Sequence, residues 1–328
     1  MIRRVAGWFA GAVMLASLLG PGRAQAQTPA PPPAPDCPPA AAALTPAQFQ
    51  AGTKAARDHG FLWRLRKDGR VSWLYGTVHV ARLEWIFLGP SVAAALQASD
   101  TVALELDVLD SDIQGRLTQV MSAPTRTTLP AALKTRMQRR AEAECLPSQL
   151  LERLNPEMQI ATLESLVGRR AGLDPAYGID VVLAGWARGA SKPVVSLESP
   201  ELQLGALTLP TSAETLEFVD SALTEMEAGR AAPALVRMAQ VWADADLDKL
   251  SRYESWCECI KTPADRAAMA RLLDDRNPAL ADSITALHAG GQRVFAAVGS
   301  LHMIGPLGLP TLLKQRGFDV ETVAFTRR

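Results

Sequence analysis

The sequence VSWLYGTVH at residues 71–79 is matched near the other end of the chain by VFAAVGSLH at residues 294–302. Each stretch is an apolar run followed by Gly, a small hydroxyl residue, an aliphatic residue and His. Such runs are typical of strands that are covered on both faces in a mostly parallel sheet. Ligands of open α/β sheets bind beyond the carboxyl ends of the strands. The two stretches therefore predict that His79 and His302 lie at one such edge.

The segments around these stretches complete an α/β pattern. FLWRLR at residues 61–66 is joined to the first stretch by a Lys-Asp-Gly-Arg turn, which predicts an antiparallel N-terminal hairpin. Residues 201–289 are almost entirely helical and predict a large helical insertion between two strands. Further strands are predicted at 101–107, 194–198 and 319–323, and flanking helices at 45–60, 88–99, 178–188 and 309–316. The fold class predicted is α/β with a mostly parallel central sheet.

The N-terminus has the composition of an export signal. Arg3 and Arg4 precede an apolar stretch, and Ala24-Gln25-Ala26 is a small-x-small cleavage site. A cleaved signal over 1–26 is the prediction, with a retained anchor as the alternative. Residues 27–44 are rich in Pro and Ala and predict a linker, so that 45–328 forms one domain. The expected location is periplasmic or secreted, through a Sec-type signal of a bacterium.

Charge and hydropathy exclude some classes of partner. Lys and Arg together number 34, as do Asp and Glu. The leader holds three Arg and no acid, so the remaining chain carries a small negative charge. No basic stripe argues for nucleic acid, and no later segment is apolar for long enough to predict a transmembrane helix. The oligomeric state stays open.

All four cysteines follow the predicted leader: Cys37, Cys145, Cys257 and Cys259. An exported chain meets an oxidising compartment, so disulfide bonds are expected. A bond between Cys257 and Cys259 closes a very tight ring, and we expect each of them to pair elsewhere. A metal site at this pair requires two more ligands, and none is nearby.

Two imidazoles and two carboxylates fall at or near predicted strand ends. They are His79, Glu105, Glu198 and His302. Two neutral imidazoles and one carboxylate form a three-ligand catalytic metal site with an open position for water. A second carboxylate could accept the proton of that water. The ligands come from distant strands, and no compact zinc motif, nucleophile elbow or phosphate-binding loop is present.

Each of these residues also has a structural interpretation. The two His residues could cap strand ends, and Glu105 could form a buried ion pair with Arg64 of the neighbouring strand. Glu198 could face the helix that begins near Glu201, and Asp180 could be an N-terminal acid of its own helix.

At these residues the sequence resembles the TraB/PrgY/GumN family, in its GumN-like bacterial branch. The matching phrases are FLWR at 61–64, WLYGTVHV at 73–80, LELD at 104–107, GID at 178–180, LES at 197–199, 242–246, RN at 276–277 and VGSLH at 298–302. They span most of the chain after the leader. Ala245 departs from the pattern, where Gly is expected before Asp246. The family is similar to Tiki-type metalloproteases and, more distantly, to erythromycin esterases and haem-uptake ChaN-like proteins.

The resemblance implies an α/β fold and a divalent-metal hydrolase site, with manganese or cobalt rather than zinc. It implies that His79, Glu105 and His302 hold the metal and that Glu198 or Glu105 is the base. Five further positions are expected to support these groups or to contact substrate: Arg64, Tyr75, Gly76, Asp180 and Gly299.

The function expected from sequence is an exported metal-dependent hydrolase, of the protease or peptidase class, acting on a peptide or small molecule. Two alternatives remain open. One is a binding protein that holds a peptide, a pheromone-like ligand or haem without turnover. The other is a metal-independent, esterase-like hydrolase in which a His activates water.

Overall fold

A single mixed sheet of six strands organises the computed structural model, which describes residues 37–124, 127–257 and 259–325. The strands are β1 Phe61–Lys67, β2 Arg70–Thr77, β3 Thr101–Leu104, β4 Val194–Ser196, β5 Val294–Gly299 and β6 Asp319–Thr322. Their order is β4-β3-β5-β2-β1-β6. The predicted signal over 1–26 and most of the predicted linker lie outside the described residues.

The two repeated stretches form neighbouring strands. β2 and β5 pair in parallel, with Trp73 opposite Phe295 and Thr77 opposite Gly299. β5 is buried from Val294 to Val298, as expected for a strand covered on both faces. Because the two strands run in the same direction and end at the same level, their His residues emerge from one edge of the sheet.

The other pairings give a parallel half and an antiparallel half. β3 lies between β5 and β4 and is parallel to both. β1 pairs antiparallel with β2 and with the edge strand β6. The predicted fold class, with its N-terminal hairpin, is confirmed. β3 is shorter than predicted, so Glu105 follows the strand instead of lying in it. The strand end frees this carboxylate to reach partners beyond the sheet edge.

Helices cover the sheet and fill the insertion. Those before β4 are α1 Pro46–Ala55, α2 Pro90–Ala98, α3 Ser111–Met121, α4 Ala131–Ala143, α5 Ser148–Leu151, α6 Pro156–Leu166 and α7 Ile179–Gly189. Those between β4 and β5 are α8 Pro200–Gly205, α9 Ser212–Glu227, α10 Ala231–Ala243, α11 Leu247–Ser251, α12 Tyr253–Trp256, α13 Pro263–Met269 and α14 Asn277–Ala289. After β5 comes α15 Leu309–Gln315. Helix α1 begins with a capping box at Thr45 but ends before the predicted Gly60.

The helical insertion joins the sheet in one continuous hydrophobic core. Trp242 of α10 is fully buried, and its indole Nε1 donates a 2.7 Å hydrogen bond to the carbonyl of Gly76 at the end of β2. This bond ties the insertion to the functional edge of the sheet. In the described ranges, no helix is long and apolar enough to cross a membrane.

Both pairs of cysteines are bonded, and the pairing differs from the sequence prediction. Cys37 bonds with Cys145, across 108 positions of sequence, and Cys257 bonds with Cys259. The expectation that Cys257 and Cys259 each pair elsewhere is wrong. The Cα atoms of these two residues are 5.1 Å apart, within the ordinary range for a disulfide. With Cys37 bonded to Cys145, no other cysteine remains for either of them.

Candidate functional site

His79 is held by an acid from the first turn of α7. Its Nδ1 lies 2.7 Å from Oδ2 of Asp180, and the hydroxyl of Thr77 donates to Oδ1 of the same carboxylate. The amide of Ile179 donates to the carbonyl of Val78, which fixes α7 beside the end of β2. Burial opposes protonation of the imidazole, but Asp180 outweighs it and raises the pKa of His79 to about 9. The Nδ1 proton therefore faces Asp180, and at neutral pH the imidazole carries a second proton on Nε2, which points away from Asp180.

His302 is held in the same way, by an amide instead of a carboxylate. Its Nδ1 lies 2.5 Å from Oδ1 of Asn277, whose Nδ2 donates to the carbonyl of Leu307. This arrangement fixes the proton on Nδ1 and leaves the lone pair on Nε2. Burial, and then the charge of Arg276, lower the pKa of His302 to about 3. At neutral pH this imidazole is uncharged.

Glu105 connects the two His residues. Its Oε1 accepts a 2.7 Å hydrogen bond from the amide of Gly299, and its Oε2 accepts from Gln203 Nε2 at 2.9 Å and from Arg276 Nη2 at 2.7 Å. The Nε2 atom of His302 is 4.0 Å from the same Oε2. Burial opposes ionisation, but the charge of Arg276, together with that of protonated His79, outweighs it and lowers the pKa of Glu105. The carboxylate is ionised at neutral pH.

Arg276 is the cation of the site, and our reasoning from sequence gave it no role. It follows a short π-helical segment, Ala270–Asp274, and precedes α14. Its guanidinium bonds Glu105 and also Glu198, with Nε 3.1 Å from Glu198 Oε2 and Nη2 on Oε1. Burial, and then repulsion from Glu105, raise the pKa of Glu198 in spite of the bonds to Arg276. One guanidinium therefore joins the two predicted catalytic acids.

Gly299 gives the centre of the cluster its space. A Cβ at this position would lie 3.2 Å from Oε1 of Glu105, 3.7 Å from Cδ2 of His302 and 3.8 Å from Nε2 of His79. The three predicted metal ligands thus surround one volume about the size of a methyl group. They line a small cavity together with Gln203, Leu204, Leu207, Leu272, Arg276 and Gly299. We call it the sheet-edge cavity.

The donor set suits a divalent ion in the type of its ligands, but its spacing is wide and His79 is protonated at neutral pH. Protein His ligands are oriented by an acceptor on the other ring nitrogen, as Asp180 and Asn277 orient the two imidazoles here. The 4.0 Å between His302 Nε2 and Glu105 Oε2 compares with about 3.4 Å between two donors in a tetrahedral shell. Across the described residues, no three His, Cys, Asp or Glu side chains meet closely enough to form a ready metal shell. Arg276 occupies one oxygen of Glu105.

The remaining predicted residues lie around the site or away from it. Arg64 stacks over Trp73 and pairs with Glu321, so the alternative ion pair of Glu105 with Arg64 is wrong, and Arg276 pairs with Glu105 instead. The hydroxyl of Tyr75 donates to the carbonyl of His59, away from the cavity. A Cβ on Gly76 would lie 3.0 Å from Oγ of Ser300, so this glycine allows the strand end to pack against the turn after β5.

Asn277 and Gln203 are further members that sequence reasoning did not assign. Arg276 and Asn277 stand together in a phrase that matched the resemblance, which was the one available indication. Gln203 lies on the short helix α8, and its buried Oε1 has no hydrogen-bond partner among the residues that the structure describes. Nothing in its local sequence distinguishes it from an ordinary helical glutamine.

Comparison with known proteins identifies one protein family. A family model described as the TraB/PrgY/gumN family matches residues 61–322. The match runs from β1 to β6 and includes every residue of the sheet-edge cavity. No curated protein and no solved structure matches the chain.

Proposed function

This chain belongs to the TraB/PrgY/gumN family, and we propose that it is an exported, metal-assisted hydrolase of peptides or related acyl compounds. The observation that carries the proposal is the convergence of His79, Glu105 and His302 around Gly299 in a cavity at the carboxyl edge of the sheet. The two disulfides support export, because such bonds persist in oxidising compartments.

His79, Glu105 and His302 would hold the ion. A divalent ion bound there would lower the pKa of a coordinated water and polarise the substrate carbonyl. His302 is ready as a neutral donor, whereas the His79 imidazolium, which Asp180 stabilises, must first lose its Nε2 proton. Binding of the ion is therefore expected to release a proton.

Of the two candidate bases, Glu105 is the one that faces the cavity. It is ionised and lines the cavity, whereas Glu198 lies behind Arg276. Glu198 is then a positioning residue that holds the guanidinium. Arg276 could donate to the oxyanion that forms when water adds to the carbonyl. The leucines of the cavity wall favour a substrate with an apolar group beside the reacting carbon.

One observation favours a second candidate, a metal-independent hydrolase. Nη1 of Arg276 lies 3.3 Å from Nε2 of His302, and the guanidinium already neutralises Glu105. In this mechanism an imidazole of the cavity accepts the proton of water and Arg276 alone stabilises the oxyanion.

The test is turnover of a quenched fluorescent peptide library and of p-nitrophenyl butyrate by chelator-stripped protein, before and after addition of Mn²⁺, Co²⁺ or Zn²⁺. Metal-assisted hydrolysis predicts activity that returns with one of these ions and falls at least about 100-fold in His302→Ala. The exposed variant Glu321→Gln is the control.

Other outcomes distinguish the metal-assisted mechanism, the metal-independent mechanism and a binding role. Activity that survives stripping and is lost in Arg276→Lys supports the metal-independent mechanism. Equal turnover by wild type and His79→Ala contradicts the metal-assisted mechanism. Equal turnover by wild type and by both His79→Ala and His302→Ala contradicts both mechanisms. No turnover of any probe with any ion favours a binding role at this cavity.

A further inference from the structure

A second cavity lies inside the helical insertion, apart from the sheet edge. It measures about 320 Å³ and is bounded by α6, α9, α10, α12 and the two cysteines Cys257 and Cys259. We call it the insertion cavity. It shares no lining residue with the sheet-edge cavity. A volume of this size is in the range of small-molecule sites.

The walls of the insertion cavity are mainly apolar and aromatic. Phe218 and Ala222 come from α9, Met238 from α10, and Tyr253 and Trp256 from α12. The two rings of α12 contact each other edge to face, and the guanidinium of Arg237 stacks over Trp256 at 4.7 Å. These contacts hold the aromatic side chains of the cavity wall in place beside the Cys257–Cys259 disulfide.

Two acids line this cavity; one of them, Glu225, pairs with Arg230, and the other is Glu164. Glu164 of α6 lines the cavity, and within the described structure its Oε2 is buried without a hydrogen-bond partner. Burial alone raises the pKa of Glu164 to about 8, and no cation contributes to the shift. A neutral carboxyl group offers one O–H donor and one C=O acceptor in a plane. An unpaired buried group of this kind costs free energy that a suitable ligand would recover.

The other charged residues that line the cavity are Glu225, Arg230 and Arg237, and they favour a neutral ligand over an ionic one. Arg230 is held by Glu225 through two hydrogen bonds, and Arg237 is exposed with Nη1 on the carbonyl of Trp256. An ion moved into the apolar space would lose its hydration and meet no buried opposite charge. A neutral group with one N–H and one C=O side by side, as in a carboxamide, complements a neutral carboxyl.

We propose that the insertion cavity binds a neutral carboxamide on an apolar body of about ten non-hydrogen atoms, held by paired hydrogen bonds to Glu164. The size follows from the volume, which equals that of about ten water molecules. The site is separate from hydrolysis, and its occupant is neither the substrate nor the metal of the sheet edge.

The test is calorimetric titration of the full chain with octanamide at pH 6. 2-Nonanone is the matched probe, because it has the same chain and carbonyl but no N–H. Wild type is expected to bind octanamide at one site and at least about tenfold more tightly than 2-nonanone, which corresponds to about 1.4 kcal/mol. In Glu164→Leu this preference is expected to disappear.

Two further measurements separate binding from folding and from catalysis. Ala222→Phe fills the cavity from α9 and is expected to abolish binding of both probes, with Ala234→Phe as a substitute if that variant does not fold. His302→Ala should bind octanamide like wild type, since it alters only the sheet edge. An unchanged preference in Glu164→Leu, tighter binding of octanoate than of octanamide, or no binding at millimolar octanamide would overturn the proposal.

Discussion

The imidazole of His79 and the carboxylate of Asp180 are 101 positions apart in sequence and 2.7 Å apart in the fold. The bond raises the pKa of His79 to about 9, against about 6.5 in an unfolded chain. Protonation of His79 therefore stabilises the fold fully below pH 6.5, and this contribution is lost as the pH rises through 9.

Asp180→Asn is expected to lower the free energy of unfolding of chelator-treated protein by about 2–3 kcal/mol at pH 6 and by much less at pH 10. Urea unfolding at the two pH values measures the difference. Asp282→Asn on the exposed face of α14 is the control and should show no such pH dependence. An equal loss at both pH values would mean that Asp180 acts only through packing.

Arg276→Met is expected to destabilise the fold by about 3–5 kcal/mol, because it leaves Glu105 and Glu198 as buried acids without their cation. Arg293→Met removes an exposed pair with Asp100 and should cost no more than about 1 kcal/mol. Denaturant midpoints of the two variants give the comparison. Similar small losses in both would show that the network around Arg276 contributes little.

Gly299→Ala is expected to impair hydrolysis or metal binding strongly with a modest effect on stability. The added methyl group would occupy the space between Glu105 and the two His residues. Gly115→Ala is the matched control, since Gly115 is exposed in α3 with open space around it and should gain about 0.5–1 kcal/mol. Metal affinity by calorimetry reports the loss, and wild-type affinity in Gly299→Ala would count against the proposed site.

Glu164→Gln is expected to change how stability depends on pH. The pKa of Glu164 is about 8 in the fold and near 4.5 in the unfolded chain. The folded state therefore holds the extra proton between these values, and stability falls with rising pH by at most about 1.4 kcal/mol per unit from this group. The variant should flatten that slope in thermal unfolding between pH 5 and 8, whereas Glu142→Gln on α4 should not.

The two disulfides are expected to contribute unequally. Cys37 and Cys145 close a loop across 108 positions, so Cys37→Ser with Cys145→Ser should cost about 4–5 kcal/mol. Cys257 and Cys259 close a loop across two positions, and their removal should cost about 1–2 kcal/mol. Urea unfolding of each double variant tests the order. A larger loss for the second pair would point to a role in holding the wall of the insertion cavity.

The local pattern of apolar residues was sufficient to predict the two central strands and the edge of the sheet on which the site lies. The apolar runs before Gly76 and Gly299 predict buried parallel strands, and the structure pairs them directly. It was not sufficient for the end of β3, where the run continues past Glu105 but the chain leaves the sheet. The sequence also predicted the wrong pairing for Cys257 and Cys259, because the size of the ring does not indicate which cysteines the fold brings together.

The sequence by itself determined that two Gly-x-x-His strand ends meet at one edge of an α/β sheet, because burial of an apolar strand depends on a pattern within a few residues. Only the tertiary structure decided the electrostatics of that edge. Arg276 and Glu105 are separated by 171 positions, and the packing of the insertion against the sheet brings them together. Charge in a buried site depends on which groups share a low-dielectric space, and the fold, not the local sequence, selects those groups.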